Sequence, residues 1–75
     1  MKFERAIVEA LGTLPEGCWQ RIDGLMTEPV VMKLYPHLFP HLRLWLLEMR
    51  GVIRSRRTGH WWPSQRGMKS YQLAN

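Results

Sequence analysis

Near the start of the chain, Phe3, Ala6, Ile7, Ala10 and Leu11 recur at the i, i+3, i+4, i+7, i+8 spacing of a single buried helical face. Lys2, Glu4, Arg5 and Glu9 fall largely on the other side, and Gly12 offers a stop. The pattern predicts a scaffold helix over 3–11, then a loop from Thr13 to Gly17 whose Leu14 reaches back to the core. Cys18 to Ile22 reads as a short strand, with Cys18 a small core residue. Asp23 has the side chain of an N-cap, and Leu25 and Met26 form the buried pair of a short second helix. Thr27-Glu28-Pro29 is a further helix start, with Thr27 capping and proline in the first turn. Val30, Val31, Leu34 and Tyr35 supply its apolar face, which ends before Pro36. His37, Leu38 and Phe39 make a turn, and Pro40 opens the next helix, so that residues 23–50 read as a helical pair.

The stretch from His41 to Ile53 organises the rest: a helix that stops at a glycine and passes directly into a strand. Gly51 has no β-carbon to clash in the left-handed turn that ends a helix. Arg50 suits the negative end of the helix dipole, and Val52 and Ile53 are a β-branched strand start. At about 100° per residue, Leu42, Trp45, Leu46 and Met49 cluster on one face, and Leu44 and Leu47 lie on another. After Gly51 the period becomes that of strands. Val52 to Arg57 is a strand, Thr58-Gly59 a turn, His60-Trp61-Trp62 the return, and Pro63 to Gly67 a second loop. Lys69 to Leu73 alternates polar and apolar residues as a closing strand does.

The segment Leu47-Glu48-Met49-Arg50-Gly51-Val52-Ile53 resembles the Leu-Glu-x-x-Gly-Leu-Val junction of winged helix-turn-helix domains, where the third helix meets the first strand of the wing. The resemblance extends over most of the chain: helix, short strand, helical pair, glycine junction, wing, and a terminal strand ending in Tyr-x-Leu. It implies an α+β fold, a single winged-helix domain over 1–75 with three helices, a short strand over 18–22 that pairs with the wing, and a C-terminal β-hairpin wing over 52–73. It also implies that Leu44 and Leu47 pack inward while His41, Leu42, Trp45 and Leu46 face DNA or solvent. Those outward positions are mostly apolar, an unusual surface for phosphates and base edges. Three arrangements would account for that: the helix is rotated so that the larger stripe is core, it is buried nearly all round, or Leu42, Trp45, Leu46 and Met49 form a dimer or partner interface. The first two are the plainer, because a small fold must bury what apolar surface it has.

Composition narrows the partners. Seventy-five residues make one domain, and a 45% apolar content argues against disorder. Eleven Lys and Arg against six acids leave a net charge of +5, which favours polyanions, nucleic acid first and an anionic membrane surface second. Cys18 is single, so no internal disulfide forms and a reducing cytosol is the expected home. No stretch reads as a signal peptide and no apolar run has membrane-spanning length. The expected location is therefore the cytoplasm, on the nucleoid when DNA-bound.

The wing carries the sharpest chemical signal. Arg54, Arg56, Arg57, His60, Arg66 and Lys69 lie within sixteen residues that contain no acid. Arginine grips phosphate with a planar fork, and a hairpin tip can follow a backbone or enter a minor groove. Trp61 and Trp62 are interleaved with these charges and can stack on bases or cover the wing's root. His37 and His41 are four apart, but neither carboxylates nor Cys18 are near in sequence to complete a metal site, and Pro40 divides them. There is no phosphate-cradling glycine loop, hydrolase elbow or paired carboxylate, so neither enzyme activity, cofactor nor small-molecule ligand is expected. The functional expectation is non-catalytic, sequence-specific binding of double-stranded DNA, by a small transcriptional regulator or recombination accessory protein of phage type. His37, His41 and Arg43 would act at the major groove, and the wing's basic residues on the adjacent backbone. The rival is a protein-interaction module, or a homodimer, built on the Leu42/Trp45/Leu46/Met49 stripe.

Overall fold

Ile7, Leu25, Val31, Leu44 and Ile53 are the largest fully buried side chains among the described residues, and each comes from a different element. The structure, a computed structural model, describes residues 2–57 and 69–74. It is a small α+β arrangement: α1 (Lys2–Gly12), β1 (Gln20–Arg21), α2 (Ile22–Met26), α3 (Pro29–Met32), α4 (Pro40–Met49), β2 (Ile53–Arg57) and β3 (Lys69–Leu73). The three strands form one antiparallel sheet in the order β1-β3-β2, so the C-terminal hairpin strand lies in the middle. Gln20 is opposite Tyr71, and Tyr71 opposite Ser55. The helices cover one face of that sheet, and Phe3, Ala6, Ala10 and Leu11 of α1 join Leu47 and Tyr71 around the five fully buried residues. Burying each large apolar side chain of this set contributes on the order of 1.5–3 kcal/mol.

Local chemistry explains the boundaries, and several differ from the sequence expectations. There are four helical segments among the described residues, not three, because the stretch between Ile22 and Met32 breaks into two single-turn pieces. β1 is two residues long and runs straight into α2, so Arg21, not Asp23, stands at the N-cap position. Asp23 sits in the first turn, where its Oδ1 accepts from the Gly24 amide. Thr27 does not open α3. Its hydroxyl donates to the Gly24 carbonyl and closes α2, and Glu28 precedes Pro29 at the N-cap of α3. α3 ends at Met32, so Tyr35 falls beyond its apolar face and is 79% exposed. Leu25 is buried but Met26 only half-buried, and Cys18 lies on the surface instead of in the core.

Pro40 occupies the first turn of α4, preceded by Phe39 in the left-handed region at φ 52°. α4 stops at Gly51, whose φ of 77° suits glycine, and the Val52 amide donates back to the Leu47 carbonyl at 3.0 Å. The helix is neither rotated onto its larger stripe nor buried all round. Leu44 and Leu47 point into the core, while Leu42, Trp45, Leu46 and Met49 are exposed. Two core side chains suffice because α1 and β2 together cover only one side of this ten-residue helix.

Candidate nucleic-acid interface

Strand alternation sorts β2 into two faces. Ile53 is buried and Ser55 half-buried on the side of the helices, and Arg54 and Arg56 project from the opposite, outer side. Across the sheet Arg54 pairs with Gln72, while Arg56 pairs with Ser70 and through it lines up with Arg21 of β1. Trp19, immediately before β1, lies against Arg54 and Arg56. The Arg56 guanidinium carbon is 4.5 Å from its ring centroid and that of Arg54 is 5.4 Å away. A guanidinium resting on an indole gives up none of its in-plane N–H donors, so stacking orients the forks and leaves their edges open.

Arg54 is held further by Gln72, whose Oε1 accepts from both its Nε and Nη2. The Gln72 amide in turn donates to the Cys18 carbonyl at 3.0 Å, tying the Trp19 segment to β3. Gln72 is neutral, so this contact positions the arginine without cancelling its charge. Among the described residues neither Arg54 nor Arg56 forms an ion pair. Arg21 does, with Asp23 at 3.4 Å, a surface pair of small energetic worth. Arg57 is exposed at the end of β2, opposite Lys69. Lys69 lies 3.9 Å from Glu48, whose other carboxylate oxygen accepts from the Ser55 hydroxyl at 2.7 Å. That carboxylate faces the helix side of the sheet, where burial, together with its charge, raises the Tyr71 pKa above its usual value.

No protein-family model, curated protein or solved structure matches this chain. What the site does is therefore a matter of its own chemistry.

The other residues expected to touch DNA are distributed differently. Arg43 turns back onto α1, its Nε donating to Glu4 Oε2 at 3.0 Å and its Nη2 reaching Oε1 at 3.4 Å. Its guanidinium carbon also lies 4.6 Å from the Phe3 ring centroid. Partial burial acts to raise the Glu4 pKa, but the Arg43 hydrogen bond, a backbone hydrogen bond and the guanidinium charge outweigh it, and the net shift is downward. His37 is half-buried, its Nε2 2.7 Å from the Val31 carbonyl oxygen and its ring against Phe3 and Tyr35. His41 is exposed near the start of α4. His60 and Arg66, with Trp61 and Trp62, lie outside the described residues. Arg54 and Arg56 are thus brought together on the outer face of β2, Arg57 falls on the alternate side at the strand's end, and His37 and Arg43 are engaged within the fold.

Trp19 is the participant that sequence reasoning passed over. The signal was its alternation with Arg21: two residues apart in a strand share a face, and that face also receives Arg54 and Arg56. Among the described residues, no group of three His, Cys, Asp or Glu side chains is placed to hold a metal ion. No helix among them is long and apolar enough to cross a membrane.

Proposed function

We propose that this chain binds double-stranded DNA without catalysis, on a winged helix-turn-helix scaffold, through phosphate contacts made from the outer face of its sheet. The carrying observation is the pair of guanidinium groups of Arg54 and Arg56, stacked on Trp19 and facing no carboxylate among the described residues. The order of elements supports the scaffold: a helix, a short strand, helices, then two strands of which the last pairs with the first. The net charge of +5 supports a polyanionic partner. Base reading by α4 is a lesser part of the proposal than the sequence suggested, since Arg43 and His37 are occupied and His41 remains the exposed polar group at that helix start. A small regulator or recombination accessory protein of phage type is the role that suits such a domain. The second reading, a protein-interaction module, is favoured by the exposed apolar face of α4.

Fluorescence anisotropy over a salt series distinguishes them. Replacing Arg54, Arg56 and Arg57 with alanine should weaken binding to specific and scrambled duplexes alike, since phosphate contacts carry no sequence information. The slope of log affinity against log salt should flatten by roughly 0.9 for each phosphate that is no longer neutralised. An unchanged slope with unchanged affinity removes the arginines from the interaction. A parent protein that binds no duplex at low salt refutes DNA binding and leaves the protein-interaction reading.

A further inference from the structure

The face of α4 that the core leaves uncovered has a symmetry of its own. Leu42, Trp45, Leu46 and Met49 follow one another at intervals of three, one and three, a spacing that is the same read in either direction. If two copies of α4 lie antiparallel with a two-fold axis between positions 45 and 46, Leu42 of one falls opposite Met49 of the other, and Trp45 opposite Leu46. Such spacing is that of a helix–helix seam, three and four residues apart along one side. Just before the helix, Leu38 and Phe39 add to the same exposed apolar region in sequence. These six side chains are between 38% and 73% exposed. Taking ~150–250 Å² for a fully exposed aromatic side chain and somewhat less for leucine or methionine, they present at most about 700 Å², close to the roughly 800 Å² per partner of a stable interface.

We infer that the chain forms a two-fold homodimer through α4, packed antiparallel against its counterpart. Charge agrees with a second copy as the occupant. The two ionised side chains within α4 are both turned away from the stripe, Arg43 to Glu4 and Glu48 to Ser55 and Lys69, so the paired faces bring no like charges together. The inference uses none of the arginines of β2, so it and the DNA reading succeed or fail separately. It also has the opposite salt dependence: the two basic copies repel through their net charge of +5 each, and salt that weakens DNA binding tightens the dimer.

Sedimentation equilibrium of the full chain from low to high micromolar concentration is the first measurement. A mass that rises to a plateau at twice the monomer is expected. Trp45→Glu should weaken association on the order of tenfold or more, as truncation of a central aromatic anchor does, with an unchanged circular dichroism spectrum. Met49→Glu serves the same purpose should Trp45→Glu fail to fold. Geometry is then tested by cross-linking in a Cys18→Ser background. Opposed positions 42 and 49 come within disulfide reach, whereas a residue at 42 lies about 10 Å from its own copy along the axis. A mixture of Leu42→Cys and Met49→Cys proteins should therefore form the mixed disulfide, and either protein alone should not. A monomer at high micromolar concentration overturns the inference. So does a dimer indifferent to both charged substitutions, a mass that climbs without a plateau, or cross-linking of each single variant as readily as the mixture.

Discussion

Replacing Arg43 with methionine tests whether this residue belongs to the fold or to a ligand. In the structure it joins α1 to α4 by two donors on the Glu4 carboxylate, and its guanidinium lies over Phe3. Both partners are mostly shielded, with side-chain exposures of 28% for Arg43 and 14% for Glu4, so solvent screening removes only part of the interaction. Methionine keeps the apolar stem over Phe3 but leaves the carboxylate unmatched. A hydrogen-bonded charged pair broken in this way costs about 2–3 kcal/mol, a large part of the roughly 4–11 kcal/mol that a chain of this size has to lose. Urea unfolding followed by tryptophan fluorescence should show that loss at unchanged m, and the melting temperature should fall by about 10–20 °C. Glu4→Gln should lose a comparable amount, and the double variant little more, giving a coupling nearly as large as either single loss, about 2–3 kcal/mol. The folded pKa of Glu4 lies below the unfolded one, so the pair's contribution is fully present above the unfolded value and disappears as pH falls through the folded value. Glu4→Gln should remove that part of the acid-side slope. Arg43→Met within about 0.5 kcal/mol of the parent, with no coupling to Glu4, would refute the structural role and return Arg43 to the candidate DNA contacts.

Leu44→Ala opens a cavity on the inward face of α4 at a fully buried position and should cost about 2–5 kcal/mol, read as a lowered urea midpoint in circular dichroism. Leu42→Ala, two residues away on the exposed stripe, should leave monomer stability nearly unchanged in the same measurement below the dimerisation range. Tyr71 has a folded pKa raised by burial and by the charge of Glu48, so its contribution is intact below the unfolded tyrosine value and is lost as pH climbs through the folded one. Tyr71→Phe should remove that part of the alkaline slope, as read from chemical denaturation at a series of pH values.

The first helix was legible because its buried face and its periodicity are the same five residues, and the glycine junction because Gly51 serves one conformation. α4 was ambiguous for a physical reason. Both of its stripes are apolar, and periodicity reports which residues share a face, not which face meets α1 and β2. The region from Thr27 to Phe39 misled because Pro29 opens a helix of only a single turn, and Thr27 closes α2 instead of capping α3. The candidate site was half visible. Arg54, Arg56 and Arg57 stood out as an acid-free run, but the occupation of Arg43 depends on a glutamate 39 residues away and that of His37 on a carbonyl in α3. Such pairings are made by the fold and leave no local trace.

β3 occupies the centre of the sheet although it is the last of the described elements in the chain. During synthesis β1 and β2 therefore emerge with no strand to pair with, and both wait for residues 69–73 before either gains a ladder of hydrogen bonds. Until then Ile53 and the inner side of α1 have no sheet to close over them. Closing the sheet therefore requires both pairings of one five-residue strand.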